Sequence, residues 1–169
     1  LSTITLTGDV TLNGGNLTLG GSNKTALNEL SGNIGGTGNL TIGSGISGDF
    51  SGASWKLSGA NTNTGTVTVS TGTLEFASIA NVGGGASNLG APTTVSAGTI
   101  TLAGGGFATL RYVGGGHSSD RQITIADSGS SNTATITANG SGPLTLGTGV
   151  LYNGTSQADK NRPLVLDGT

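Results

Sequence analysis

Apolar residues in this chain alternate with threonine, serine and asparagine in short runs: Ile4 and Leu6, Val10 and Leu12, Leu17 and Leu19, Val67 and Val69, Ile123 and Ile125. A period of two over a few residues, bounded by Gly and Asn, predicts short strands with one face buried. No window carries apolar residues at helical spacing, and the glycine density disfavours helix. The chain therefore reads as all-β, with Thr64, Thr66, Thr68 and Thr133, Thr135, Thr137 at outward positions.

The strands repeat. A pattern of Gly, any residue, apolar, any residue, apolar occurs at Gly15–Leu19, Gly38–Ile42, Gly72–Phe76, Gly98–Leu102 and Gly142–Leu146. With the glycine relaxed, Ser2–Leu6, Ala53–Leu57, Arg121–Ile125 and Arg162–Leu166 join it. Successive starts lie 13 to 26 residues apart. A step of about 20 residues is what one coil of a β-solenoid requires. This predicts a parallel β-helix of about eight or nine coils, a rod roughly 40 Å long at ~4.8 Å per coil. Two matches are longer, and the second of them suggests a further period of about five coils. Val69–Leu74 lines up with Val95–Ile100 a step of 26 later, and Gly36–Gly43 with Gly140–Gly147 a step of 104 later.

The expected inward ladder is Leu17, Leu19, Leu40, Ile42, Leu74, Phe76, Ile100, Leu102, Ile123, Ile125, Leu144 and Leu146. Glycine pairs such as Gly14-Gly15, Gly20-Gly21 and Gly35-Gly36 fit tight corners. Loops pushed out of the coils are expected at Ser22–Leu30, Ala77–Pro92 and Gly114–Asp120. Asn13-Gly14, Asn139-Gly140 and Asn153-Gly154 could instead close hairpins, which keeps a β-sandwich as the alternative.

Composition narrows the chemistry. The 169 residues include 34 Gly, 8% charged residues, no Cys and one His. There is no glycine at every third position, which excludes collagen. Without Cys there is no disulfide, thiolate metal site or cysteine nucleophile. A net charge of −2 with six dispersed basic residues gives no footprint for nucleic acid. No run of about 20 apolar residues is present to span a bilayer. A start at Leu1 rather than Met suggests a processed product or an excised piece.

The segment Leu57-Ser58-Gly59-Ala60-Asn61-Thr62-Asn63-Thr64-Gly65-Thr66-Val67, followed by Val69-Ser70-Thr71-Gly72-Thr73-Leu74, resembles the passenger-associated transport repeat, also called the autotransporter-associated β-strand repeat. Asn63 stands where that pattern has an aromatic residue, and one glycine of its Gly-Gly pair is missing. The resemblance extends over residues 36–169, with residues 1–35 as divergent first coils of the same single domain. It implies a right-handed parallel β-helix in a secreted or surface-attached bacterial protein. It also implies a stalk associated with passage through the outer membrane, and it supplies no catalytic residues.

Candidate chemistry is sparse. His117 lies in the polar stretch Gly114–Arg121 beside Ser118, Ser119 and Asp120. A catalytic triad assembles from separate elements, so an exposed loop with Asp120 and Arg121 closing a turn is the expected arrangement. Asp49 with Glu75, or Asp127 with Asp9, are the acids that could meet across coils for general acid–base work. Nothing in their spacing favours such a pair. Trp55 alternates with Leu57 and is expected in the core; Tyr112 and Tyr152 are expected outward. Thr-x-Thr occurs at 3–5–7, 64–66–68, 99–101 and 133–135–137, too irregularly for a grid of the kind that binds ice. No catalytic, cofactor-binding or metal-binding residue is assigned, and no cofactor is expected.

The ends are almost chargeless. Leu1–Leu12 carries Asp9 alone, and Leu164-Val165-Leu166 is apolar. Unprotected strand edges invite pairing. The expectation is a non-catalytic, extracellular rod that associates head to tail, with neither nucleic acid nor a membrane span. The alternative is an adhesin whose loops at 77–92 and 114–120 touch a glycan or a cell surface.

Overall fold

The computed structural model describes residues 2–21, 25–43, 52–103, 106–126, 133–153 and 163–169. Asp49, Asp127, Asp159, Arg162 and residues 22–24 lie outside them. The described chain is nearly all-β. Seventeen strands and one helical turn, α1 (Val95–Gly98), are present among these residues.

Every ladder between strands is parallel, and each links one coil to the next. This is a β-solenoid. Among the described residues the one antiparallel contact is an isolated bridge between Asn61 and Ser87. A hairpin-built sandwich is thereby overturned. At Asn13-Gly14 both residues have positive φ, but the turn leads from one sheet to another and pairs no neighbouring strands.

A seven-stranded sheet contains β1 (Thr5–Leu6), β4 (Leu27–Leu30), β7 (Ser54–Leu57), β9 (Gly72–Phe76), β11 (Ala108–Tyr112), β14 (Ala134–Ala138) and β17 (Leu164–Gly168). A six-stranded sheet contains β3 (Leu17–Leu19), β6 (Leu40–Ile42), β8 (Val67–Val69), β10 (Ile100–Ala103), β13 (Ile123–Ala126) and β16 (Val150–Asn153). A third side is ordered as strands at two levels. One level pairs β2 (Val10–Thr11) with β5 (Ile34–Gly35), and the other pairs β12 (Gly115–Ser119) with β15 (Gly142–Leu146).

The coil count corrects the sequence expectation of eight or nine. Six strands in one sheet make five steps, so the solenoid has about five turns, or about 24 Å at the parallel-strand spacing. Register in that sheet runs Leu17, Leu40, Val67, Ile100, Ile123, Val150, so the steps are 23, 27, 33, 23 and 27 residues. The shorter apparent step arose because the repeated pattern does not mark one sheet. Gly72–Phe76 lies in the seven-stranded sheet, Gly98–Leu102 leads into the six-stranded one, and Gly142–Leu146 is the third-side strand β15. Steps within a coil were counted together with steps between coils.

The longer periods fail for the same reason. Residues 38–42 and 142–146 occupy different sheets, so the 104-residue match is not a structural repeat. Val69–Leu74 spans β8 and the start of β9, whereas Val95–Ile100 spans α1 and the start of β10.

Burial follows the alternation. Leu19, Leu40, Ile42, Leu74, Phe76, Ile100, Leu102, Ile123 and Ile125 are core residues, while Leu17, Leu144 and Leu146 are half-buried against them. Trp55 is buried as expected, and its indole N–H donates to the Gly20 carbonyl at 3.1 Å. Thr137 stands in the outward column between Arg111 and Asp167, as expected, yet is buried there. Tyr112 also departs from expectation: it is fully buried, stacked on Phe76 in the same column, ring centroids 5.5 Å apart.

Glycine has a second use beyond positive-φ corners. A Cβ on Gly38 would overlap the Gly15 carbonyl oxygen, and one on Gly65 the Gly38 carbonyl. The same relation links Gly8, Gly32 and Gly59 at another corner. Coils stack there backbone on backbone, closer than any side chain allows.

Two substitutions test this packing. Gly38→Ala should lower stability by about 1–3 kcal/mol, whereas Gly85→Ala, with open space around it, should change it by less than about 0.5 kcal/mol. Urea midpoints of the two variants would check the contrast. Ile100→Asp, a charge in the core column without a partner, should abolish the cooperative transition; retention of wild-type stability in urea would refute the ladder.

Candidate functional site

The most polar stretch is not the exposed loop that its composition suggests. Residues 115–119 form β12, paired in register with β15 through His117↔Leu144 and Ser119↔Leu146. Tyr112 lies below it. The Gly116 N–H donates to the Tyr112 hydroxyl at 2.7 Å, and that hydroxyl lies 2.9 Å from His117 Nδ1. The hydroxyl thus links the β12 backbone and the His117 ring to the core.

The neighbours of His117 are engaged elsewhere. The Ser119 hydroxyl donates to the Ala80 carbonyl at 3.0 Å, and Asp120 Oδ1 accepts the Val82 N–H at 2.8 Å. Serine, histidine and aspartate therefore face three different partners, which is not a triad arrangement.

Arg121 is the largest departure from expectation. Read from sequence as half of a surface turn, it is fully buried, with 0% of its surface exposed. Its Nε donates to the Gly98 carbonyl at 2.7 Å and its Nη1 to the Leu89 carbonyl at 2.6 Å. The reason lies one coil below. Phe76 and Tyr112 are register partners in adjacent coils, so the 77–111 turn carries extra chain on its third side. That chain folds inward rather than out: Ile79, Ser87, Asn88 and Leu89 are buried, and α1 ends at the buried Gly98.

Irregular backbone of this kind leaves carbonyls without ladder partners, and Arg121 supplies donors to two of them. Asn88 supplies the rest of the anchorage. Its Oδ1 accepts from the Ala77 and Ser78 N–H groups, and its Nδ2 donates to the Gly59 carbonyl. Burial lowers the Arg121 pKa to about 10, opposed by the neighbouring Asp120 carboxylate. Because the folded value is below the unfolded one, the penalty on the charged form is complete below about pH 10 and adds no pH dependence near neutrality.

The two large sheets present different outer faces. On the seven-stranded sheet one column reads Glu29, Lys56, Glu75, Arg111 in register, opposite charges alternating coil by coil. Lys56 Nζ lies 3.0 Å from Glu29 Oε1, and Arg111 Nη1 lies 3.6 Å from Glu75 Oε2. The Ser58 hydroxyl and Lys56 hold the Glu29 carboxyl below the usual carboxylate range. That contribution is present above the unfolded pKa and lost as pH falls through the folded one; at this exposure it is small. The alternation leaves Glu75 beside cations rather than beside another acid.

The six-stranded sheet has no charged residue on any of its strands. Its outward centre is one file of threonines, Thr18, Thr41, Thr68, Thr101 and Thr124, each in register with the next. Searching for Thr-x-Thr along the chain missed this file because the threonines lie one per coil. The usable signal was the recurring apolar-Thr-apolar triplet.

Among the described residues no group of three or more His, Cys, Asp or Glu could hold a metal ion, and no helix is long and apolar enough to cross a membrane. Asp9 accepts the Asn33 N–H at 2.8 Å, which continues upward as Asn33 accepting from Ala60. It therefore serves a corner ladder. The acid pairs considered from sequence each include Asp49 or Asp127, which lie outside the described residues.

Replacing Arg121 should expose its role. Arg121→Met leaves two buried carbonyls unpaired and should lose about 2–4 kcal/mol. Asp120→Asn keeps an acceptor for Val82 and should lose less than about 1 kcal/mol. Paired denaturation curves would check both, and equal losses would refute the assignment of stability to the guanidinium donors.

Compared with known proteins, the chain matches no family model, no curated protein and no solved structure.

Proposed function

We propose that this chain is a non-catalytic structural segment of an extracellular bacterial protein, a right-handed β-helix that builds a stiff rod and extends it head to tail. Right-handedness is supported by the strong preference of parallel β crossovers for that hand. The placement outside the cell rests on the resemblance to autotransporter repeats.

The observation that carries the proposal is the pair of strand edges. β1 and β17 are the outer strands of one parallel sheet, and each exposes apolar side chains. Ile4 and Leu6 are 54% and 41% exposed at one end, Val165 and Leu166 41% and 71% at the other. An apolar edge of this kind is a template for another strand. Pairing β17 of one molecule with β1 of the next would continue the ladder in the same direction. Such a heterologous contact does not close and so propagates.

A second reading has one specific observation behind it. The segment Ala77–Pro92 is anchored by buried Asn88 and Leu89 yet exposes residues 83–86, as a binding loop on a rigid scaffold would. In that reading the protein is an adhesin that contacts a glycan or a cell surface. The companion loop expected at 114–120 is a strand, which leaves 77–92 to carry it.

Negative-stain electron microscopy at rising concentration separates the readings. Filaments are expected, and Leu166→Lys should shorten or abolish them without unfolding the coil. Short discrete rods at every concentration would overturn end-to-end assembly. Glycan binding lost on deleting residues 83–86 would favour the adhesin.

A further inference from the structure

We propose that the outer face of the six-stranded sheet is an ice-binding surface, with the threonine file as its contact line. The five threonines stand one per coil, held in register by backbone hydrogen bonds, so their spacing is set at ~4.8 Å by the ladder itself. That repeat lies close to the repeat of water molecules within a layer of hexagonal ice. A β-branched side chain on a strand has little rotamer freedom, so the hydroxyls and methyls are ordered before any contact is made.

The hydroxyls are available. Among the described residues none of the five is drawn into a hydrogen bond within the protein, and all five threonines remain at least partly exposed. Each can donate one hydrogen bond and accept two. The neighbouring column, by contrast, is tied down. Asn39 Oδ1 accepts from the Thr66 N–H and hydroxyl, and the Thr99 hydroxyl donates to the Val95 carbonyl. On the other flank stand the small residues Gly20, Gly43 and Ser70.

The chemistry selects the partner. Ice is neutral, flat and periodic, and it offers both donors and acceptors. The described strands of this face have no Asp, Glu, Lys or Arg to hold a disordered hydration shell, whereas the seven-stranded face carries four of them in consecutive register, Glu29, Lys56, Glu75 and Arg111. No aromatic residue lies in the threonine file or its flanks to stack on a sugar ring. A second copy of the chain would call for several apolar side chains outward, and on the described strands of this sheet only Leu151, in register with Thr124 at the end of the file, is an exposed large apolar residue. Five ordered sites of a methyl and a hydroxyl, on a rigid ladder, fit a water lattice best.

The test uses the whole chain in ice-recrystallisation and thermal-hysteresis assays. Wild type is expected to inhibit recrystallisation. Thr68→Lys, mid-file, should require at least a tenfold higher concentration for the same effect. Thr109→Lys, on the opposite sheet, should behave as wild type, with circular dichroism and urea midpoints confirming both folds. If Thr68→Lys does not fold, Thr124→Lys near the end of the file serves in its place. Inactive wild-type protein would overturn the proposal, as would equal effects of the lysine on either face. Retention on crystalline polysaccharide, or a dimer in sedimentation dissolved by Thr68→Lys, would also overturn it if no ice activity accompanies either.

Discussion

Everything in this molecule depends on the parallel backbone ladder that fixes each coil over the one before it. In a parallel register a residue meets its counterpart in the next coil at about 4.8 Å, so whatever side chain occupies a position is stacked on its own kind. Leucine, isoleucine and valine stacked inward make a continuous core, as in the column Leu40, Val67, Ile100, Ile123. Glycine stacked at corners allows the chain to turn without a Cβ meeting the carbonyl below. Like charges stacked outward would repel, and the order Glu29, Lys56, Glu75, Arg111 avoids it.

The ladder also explains how the coil tolerates unequal lengths. Register in both large sheets is kept while the connecting chain grows, since a longer loop costs little extra closure entropy. The 77–99 excursion exploits this. Extra backbone brings unpaired carbonyls and N–H groups, which must be satisfied wherever they are buried. Asn88 and Arg121 supply those bonds from the excursion itself and from the coil above. The buried guanidinium is tied to this longer coil: Nε and Nη1 donate to its carbonyls, while Nη2 is buried without a hydrogen-bond partner. The Tyr112–His117 contact ties a strand of the third side to the core.

Under both proposals, function on this scaffold would reside in its faces and ends. The charged column and the threonine file come from the same ladder, on opposite sheets, and differ only in what the outward position carries. The ends differ from both: among the described residues β1 and β17 are each paired on one side only. Rod-building and lattice-binding would use separate surfaces and could coexist on one chain.

The amino-acid sequence by itself determined the strands, their alternation and most of the core, because a period of two and glycine-bounded runs are local properties of the chain. Nine of the twelve inward ladder residues are buried, from Leu19 to Ile125, and Trp55 lies with them. What it did not determine is which strand stacks on which. Gly72–Phe76 and Gly98–Leu102 look alike in sequence yet lie in different sheets, so repeats of the same motif gave too many coils. Arg121, Tyr112 and Thr137 read as surface residues, since nothing near them in sequence announces a cover. For Arg121 the cover is Leu89 and Gly98, 32 and 23 residues away. The threonine file became a surface only when coils of 23, 27 and 33 residues were brought into register. Those unequal lengths hide the regularity along the chain, and only the backbone hydrogen bonds between coils restore it.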